Sequence, residues 1–210
     1  LSSSNNIYVA SRSSDNLSGL NAHHITFDAT SESLDTSLLP EKLDGFVYCP
    51  GSINLRPFKG LSVEAFEKDF QINVTGAINS LKNVLGNLSA SGNASIVFFS
   101  TVAVQTGMPF HSSVAASKGA IEGLTRSLAA EFAPKIRVNA IAPSLVNTPL
   151  ASKFLNNETK LEKANERHPL GRIGSAKEIA QAAAFLLGEE SSWMTGRVLQ
   201  LDGGIGNLKT

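Results

Sequence analysis

One segment indicates the fold class before any other, and it reads Ile136-Arg137-Val138-Asn139-Ala140-Ile141-Ala142-Pro143. Its almost continuous apolar character is typical of a strand that is buried on both faces of a parallel sheet. Other short runs rich in branched and aromatic residues share this character, and they lie at residues 7–10, 24–27, 46–49, 96–99 and 198–201. We predict a strand at each of these positions, with residues 136–142 as the strand of the first segment.

The longest amphipathic segment spans residues 62–85 and predicts a helix. Its apolar side chains recur at steps of three and four residues, at Val63, Phe66, Phe70, Val74, Ala77, Ile78, Leu81 and Leu85. Ser62 is suited to cap the N-terminus of this helix, and Gly86 is suited to end it. Two further helices are predicted over residues 112–132 and 176–187.

The order of these elements predicts the architecture. Strands that alternate with helices of this length form right-handed βαβ units around a parallel sheet, which is an α/β fold. The helix at 176–187 opens with Ser175 and Glu178, a capping-box pair whose side chains satisfy each other's backbone amide. The polar segment 156–167 is interpreted as either a helix or a mobile flap.

Composition limits the functions that the chain can have. Lysine plus arginine and aspartate plus glutamate number 18 each among 210 residues, so the basic excess that marks many nucleic-acid-binding proteins is absent. No apolar run approaches the roughly 20 residues of a membrane span. The single Cys49 and four scattered histidines give neither an internal disulfide nor zinc-ligand spacing. We therefore expect one soluble, cytoplasmic domain that binds no nucleic acid, membrane or metal.

Several motifs, in order along the chain, resemble those of the short-chain dehydrogenase/reductase family. They are Val138-Asn139-Ala140-Ile141-Ala142-Pro143, Val146-Asn147-Thr148-Pro149, Pro169-Leu170-Gly171-Arg172-Ile173-Gly174, Glu178-Ile179-Ala180, Thr195-Gly196 and Leu201-Asp202-Gly203-Gly204. The resemblance covers essentially the whole chain. It implies a Rossmann-type, doubly wound parallel sheet with helices on both faces, in which residues 1–210 form a single NAD(P)-binding domain.

The glycine-rich loop of that family, which meets the cofactor pyrophosphate, has no counterpart before Ile7. In the family this loop joins the first strand to the first helix. We therefore expect that strand and most of that helix to lie upstream of residue 1, with residues 1–6 as the helix tail and a turn, so that the domain is N-terminally incomplete. By the resemblance, the missing strand is the central one of the sheet. Without it, two apolar strand edges in the middle of the sheet would be unpaired, an arrangement prone to aggregation. We expect the 210 residues alone to bind NADP weakly or not at all.

The predicted cofactor preference depends on Ser11 and Arg12, at the end of the first predicted strand. An acidic residue at this point binds the ribose 2′-hydroxyl of NAD, whereas a guanidinium forms charge-assisted bonds to the 2′-phosphate of NADP. This pair predicts NADP rather than NAD, unless Arg12 is a solvated loop residue. Asp28, after the next strand, resembles the family's acidic residue that meets the adenine amino group; alternatively, it only starts a loop.

The resemblance assigns further residues to the nicotinamide end of the cofactor. Gly51 ends the motif Tyr48-Cys49-Pro50-Gly51, which stands where the family has Asn-Asn-Ala-Gly. Pro143, Val146 and Thr148 belong to the stretch that holds the nicotinamide carboxamide in the family. We expect these four residues to bind cofactor.

The resemblance also implies a catalytic constellation that is incomplete. Lys118 matches the lysine that holds the nicotinamide ribose, and Asn73 matches the helix asparagine that supports a proton-relay water. Thr101 takes the place of the serine that polarises the substrate oxygen. Val114 occupies the position of the family's proton-donating tyrosine, four residues before the lysine. Valine has no proton to give, so the expected site is atypical.

Other residues are candidates for the missing acid, which typically contributes about 10²- to 10⁴-fold in rate. His111 lies three residues before the valine, and Ser112 and Ser113 are closer still. Tyr48 ends a predicted central strand and is a further candidate. The alternative is that the histidine is a loop residue and the tyrosine packs on the sheet. The segment 150–167, which would form a lid, carries no recognisable chemistry.

The sequence thus predicts an NADP(H)-dependent oxidoreductase that acts on a small carbonyl or alcohol. The alternative is a catalytically silent relative that serves as a cofactor sensor or an assembly subunit. We also expect a homo-oligomer, a dimer or a tetramer. By the resemblance, the helices at 62–85 and 112–132 form one two-fold interface and residues 201–206 a second; alternatively, both helix stripes are used by the sheet of the same subunit.

Overall fold

Strands and helices alternate along the described residues of the computed structural model, which are 5–15, 17–31 and 33–209. The strands are β1 (Ile7–Ser11), β2 (Ala22–Thr26), β3 (Gly45–Val47), β4 (Ala94–Phe99), β5 (Ile136–Pro143), β6 (Val146–Asn147), β7 (Gly174–Ser175) and β8 (Val198–Leu201). The α-helices are α1 (Val63–Phe70), α2 (Gly76–Ser91), α3 (Ala103–Thr106), α4 (Ser112–Phe132), α5 (Glu158–Glu166) and α6 (Ala176–Leu187). A π-helical turn, Gln71–Thr75, joins α1 to α2.

All described strands pair in parallel. The main sheet has the order β3-β4-β5-β8, with Ile96 opposite Val138 and Ile141 opposite Leu199. The β1 and β2 strands form a separate two-stranded sheet, and β6 pairs with β7. A parallel sheet that alternates with helices is the α/β arrangement that the sequence predicts. Within the described residues, no helix has the length and apolar character needed to cross a membrane.

The two faces of the main sheet carry different helices. Successive side chains of a strand point to opposite faces. Ile96 and Phe98 of β4 pack in a cluster with α2 and α4, whereas Val97 packs with α6. Strand β5 divides in the same way, with Val138 on the α4 side and Ile141 on the α6 side. The prediction of a doubly wound sheet with helices on both faces is therefore confirmed.

The long amphipathic helix was predicted to end at Gly86, but it does not end there. It continues through α2 to Ser91, because Leu88 extends the apolar stripe into the core and is fully buried. Gly92 then ends it with a φ of 79°, a left-handed conformation that favours glycine. Glycine inside a helix costs only about 1 kcal/mol, which burial of one leucine offsets.

Other predicted boundaries agree more closely. Helices α4 and α6 have the predicted limits, and the capping box of Ser175 and Glu178 is formed. The segment 156–167 is a helix rather than a flap, because the Asn157 side chain caps α5 by accepting from the Lys160 amide at 2.9 Å. The predicted helix tail at residues 1–6 lies largely outside the described residues.

Candidate functional site

A cavity of about 640 Å³ lies at the carboxyl ends of β3, β4 and β5. Its walls include residues from the loops 49–55, 99–102 and 143–148, which follow those three strands. Further wall residues come from the first turns of α4 and from the segment 150–168. Ligands of open α/β sheets bind at this edge, and the cavity has the size of a small-molecule site.

Lys118 brings a buried cation to this cavity. Its side chain lies on α4, is only 8% exposed, and has no hydrogen-bond acceptor within the described part of the chain. Burial lowers the pKa of Lys118 from 10.5 to about 8, and the neighbouring Cys49 thiol opposes the shift only in part. A Cβ atom at Gly51 would lie 3.6 Å from Nζ, so the glycine keeps the approach to this ammonium open.

Asn73 lies behind the cavity wall rather than on it. It is fully buried in the π-helical turn, a local distortion that is frequent at functional sites. Its Oδ1 accepts from the Ser52 amide at 3.2 Å, and its Nδ2 donates to Ser52 Oγ at 3.1 Å and to Ser117 Oγ at 3.0 Å. The side chain thus connects the loop after β3 to α4, next to Lys118.

Thr101, Val114 and His111 all line the cavity, as the sequence predicts for a shared site. Thr101 Oγ1 accepts from the Ala103 amide at 3.3 Å, which leaves its hydroxyl proton available to a substrate oxygen. Val114 is 5% exposed and adds only an apolar surface. His111 Nδ1 donates to the Pro109 carbonyl at 2.8 Å, so Nε2 is the ring nitrogen that remains open.

Tyr48 does not serve this cavity, and the hypothesis that it donates the proton is wrong. It is buried in the core cluster, and its hydroxyl donates to the Ile72 carbonyl at 2.7 Å. Burial, assisted by the negative charge of Asp28, raises the pKa of Tyr48 to about 12. The tyrosine therefore packs between the sheet and the π-helical turn, which is the structural alternative for this residue.

The predicted adenosine-binding residues lie together at the ends of β1 and β2. Ser11 Oγ donates to the Ser13 carbonyl at 2.8 Å, and Arg12 is exposed. Asp28 Oδ1 accepts from the Thr30 amide at 2.9 Å and from its hydroxyl at 2.7 Å. These bonds, with a smaller contribution from the Arg12 charge, lower the pKa of Asp28. Asp28 thus starts a loop, while its second carboxylate oxygen accepts no hydrogen bond from residues 5–15, 17–31 or 33–209.

The remaining predicted cofactor residues line the same cavity. Gly51, Pro143, Val146 and Thr148 all line it, together with Lys118. Within residues 5–15, 17–31 and 33–209, no group of three or more histidine, cysteine, aspartate or glutamate side chains is arranged to hold a metal ion.

The cationic side chains of the segment 150–168 are not predicted from the sequence. Lys153, Lys160, Lys163 and Arg167 line the cavity, although the segment shows no motif. The spacing of Lys160, Lys163 and Arg167 could have indicated this, because positions i, i+3 and i+7 share one face of a helix. His168 is also missed; its Nε2 pairs with Ser144 Oγ at 2.9 Å.

Comparison with known proteins identifies the family. The family model described as "Enoyl-(Acyl carrier protein) reductase" matches residues 24–206. The chain belongs to the short-chain dehydrogenase/reductase family. A tropinone reductase homolog of Arabidopsis thaliana is 37% identical over 171 residues, which are 81% of this chain and 65% of that protein. The chain therefore spans just under two thirds of this relative's length.

Solved structures agree with this assignment. The ligand-free aldohexose dehydrogenase of Thermoplasma acidophilum superposes with a TM-score of 0.87 at 26% identity, over 98% of this chain and 87% of that one. The NADP complex of RhlG from Pseudomonas aeruginosa gives a TM-score of 0.87 at 27% identity, over 95% and 86% of the two chains. This short-chain dehydrogenase/reductase thus shares its fold with oxidoreductases of known structure, and members of the family bind NAD(P).

Proposed function

We propose that residues 1–210 form the cofactor- and substrate-binding domain of an NADP(H)-dependent oxidoreductase, which transfers hydride to or from a small carbonyl or alcohol. The observation that carries this proposal is the cavity at the strand ends, which is lined by the available hydroxyl of Thr101 and by the Lys118 ammonium, which has no acceptor among the described residues. Both groups are polar and lie in an otherwise largely apolar pocket, which is typical of a reacting site.

The residues present fit the nicotinamide half of the cofactor, which supplies the hydride when bound. Lys118 has no acceptor in the part of the chain that the structure describes, and the ribose hydroxyls are suitable acceptors for its ammonium. Gly51 leaves this ammonium open to a ligand, because a Cβ atom at position 51 would lie 3.6 Å from Lys118 Nζ. Pro143, Val146 and Thr148 would hold the carboxamide.

The protein's own groups give the substrate oxygen a hydrogen bond and a proton source. Thr101 donates its hydroxyl to the carbonyl oxygen and so stabilises the charge that develops on it. Val114 supplies no proton, so the site is atypical for the family. His111 lines the cavity and keeps Nε2 open, so it is the residue that delivers the proton in this proposal.

The direct test is oxidation of NADPH by the full polypeptide with a panel of ketones and aldehydes. We expect turnover that saturates with substrate and that is lost in Thr101→Val. Retained NADPH binding with no turnover of any carbonyl would instead favour a catalytically silent protein.

Arg12 provides the test of cofactor choice. We expect Arg12→Asp to lower the ratio of NADP affinity to NAD affinity by at least about tenfold, because the 2′-phosphate then meets a carboxylate. Arg12 is exposed and its charge reaches Asp28 at the next strand end, which supports a ligand-binding position. The measurement is calorimetric titration with both cofactors, and Lys82→Asp on α2 is the matched charge control. A ratio that stays within about twofold would make Arg12 a bystander.

We further propose a homo-oligomer, and two exposed apolar regions support it. Val63 and Phe70 of α1 are 70% and 45% exposed, on the helix expected to form one two-fold interface. Trp193 is fully exposed just before β8, which is the edge strand of the main sheet. We expect sedimentation of a dimer or tetramer at micromolar concentration, and Trp193→Glu to dissociate one interface. A monomer at that concentration contradicts the proposal.

A further inference from the structure

The charge on the cavity wall has one sign. The cavity is lined by the cationic side chains of Lys118, Lys153, Lys160, Lys163 and Arg167, and no aspartate or glutamate of the described residues lines it. The chain as a whole has equal numbers of acidic and basic residues, so this imbalance is local. A cleft lined by one sign of charge raises the local concentration of ligands of the opposite sign.

Helix α5 separates its charges onto two faces. Lys160, Lys163 and Arg167, just beyond its end, follow the i, i+3, i+7 spacing and line the cavity. Glu158, Glu162 and Glu166 repeat every four residues, share a different face and do not line it. The cations of the cavity-facing side are therefore not neutralised by the acidic residues of their own helix.

Of the four cations in the segment 150–168, two are hydrogen-bonded to the protein and two are not. Lys153 Nζ donates to the Ile53 carbonyl at 2.9 Å, and Lys160 Nζ donates to Asn156 Oδ1 at 2.8 Å. Lys163 and Arg167 have neither a hydrogen-bond acceptor nor an ion-pair partner within the described residues. Both side chains are exposed, so a ligand in the cavity can reach them.

The rest of the wall is largely apolar. Its members include Ile53, Leu55, Met108, Leu150, Phe154 and Ile205. A ligand that fills this cavity therefore needs an apolar body, whereas the unpaired cations need an anionic group. Neither a sugar nor a hydrocarbon ketone has both features.

We propose that the substrate is an amphiphilic oxo or hydroxy compound with an apolar body and an anionic head group, a carboxylate or a phosphate, which Lys163 and Arg167 bind. This inference rests on the proposed function, because it names the substrate class of the same cavity. Arg167 provides a planar fork that pairs with two oxygens of either head group, and Lys163 adds a point charge.

Binding of unreactive probes tests the anion site without turnover. Heptanoate, heptyl phosphate and heptanamide share one apolar body and differ in their head groups. We expect calorimetric titration of the full polypeptide, with and without NADPH, to give at least about tenfold tighter binding of an anionic probe than of heptanamide. The preferred anion then distinguishes a carboxylate substrate from a phosphate ester. The preference should weaken as salt concentration rises.

A double variant and a matched control assign the preference to these residues. We expect Lys163→Gln/Arg167→Gln to reduce the preference to less than about threefold, and Lys82→Gln/Lys135→Gln, which removes two exposed cations elsewhere, to retain it. Equal binding of the three probes, no binding of any probe, or a preference that survives the double variant would overturn the inference. A double variant that weakens NADPH binding tenfold and leaves the probe preference intact would also overturn it, since the cations would then serve cofactor phosphates.

The outcomes separate this inference from the proposed function. NADPH-dependent turnover of neutral ketones without any anion preference would support the proposed oxidoreductase function and contradict the proposed anion site. An anion preference that depends on Lys163 and Arg167, without turnover of any carbonyl compound, would support the anion site and contradict the proposed reaction.

Discussion

We expect Lys118→Met to abolish carbonyl reduction and at the same time to stabilise the folded chain. The ammonium is 8% exposed, has no acceptor among the described residues, and has its pKa lowered to about 8 by burial. The folded state therefore carries a desolvated charge that methionine, of similar length, does not have. We expect a gain of about 1–3 kcal/mol in unfolding free energy at pH 7, measured by denaturant titration. Turnover should fall at least about 100-fold, because cofactor positioning is lost.

The pH dependence of stability identifies the cause of that gain. The folded pKa of Lys118 lies near 8 and its ordinary value is 10.5, so between these two values the unfolded chain binds more protons than the folded chain. The unfolding free energy of the parent chain should thus rise as pH increases from about 8 to 10.5. Below pH 8 the lysine is charged in the folded state as well, so the full destabilisation by the buried charge is present there. In Lys118→Met this rise should disappear, whereas the exposed control Lys82→Met should keep it. A variant that is less stable than the parent at pH 7 contradicts the prediction.

Lys118 and the helix that carries it illustrate what the sequence can predict. The limits of α4 follow from local signals, namely the apolar periodicity and the break before Pro134, so the relative positions of Val114 and Lys118 on one helix face are predictable. The same holds for the capping box of α6. These features depend on neighbours a few residues away, which a sequence pattern contains.

Long-range features were not predictable in this way. Tyr48 was a candidate acid because it ends a strand, but its hydroxyl donates to Ile72, 24 residues away, across a helix turn whose π-helical form no pattern predicts. The continuation of α2 beyond Gly86 depends on the burial of Leu88 in the core. In each case tertiary packing decides between two locally acceptable conformations.

The cationic side of α5 is an intermediate case. Its spacing can be read from the sequence, yet the same spacing is common on solvated helices, where alternating charges pair with each other. Only the position of the helix across the cavity gives Lys163 and Arg167 a possible ligand. For this reason the sequence predicted only the conformation of the segment 156–167, a helix or a flap, and not a ligand-binding role for it.

Val114→Tyr should raise ketone reduction by at least about tenfold in the full polypeptide, which is part of the range that a general acid provides. Position 114 lines the cavity, one helical turn before Lys118, and the hydroxyl of Thr101 lines the same cavity. The ammonium favours the phenolate, which lowers the pKa of a phenol there towards the working range. The cavity of about 640 Å³ has room for the ring. The measurement is steady-state oxidation of NADPH with a saturating ketone.

Val114→Phe is the matched control, because it adds the same ring without the proton. We expect Val114→Phe to leave turnover at or below the parent rate, so the difference between the two variants measures the phenol hydroxyl alone. If both variants lose activity together while NADPH binding persists, the added ring displaces the residue that already donates the proton. The single variant His111→Gln then tests whether that residue is the histidine, since a histidine acid requires the parent rate to fall in His111→Gln as well. Equal rates in Val114→Tyr and Val114→Phe, in variants that both fold and bind NADPH, would contradict the prediction. Proton donation from position 114 would then not limit the reaction.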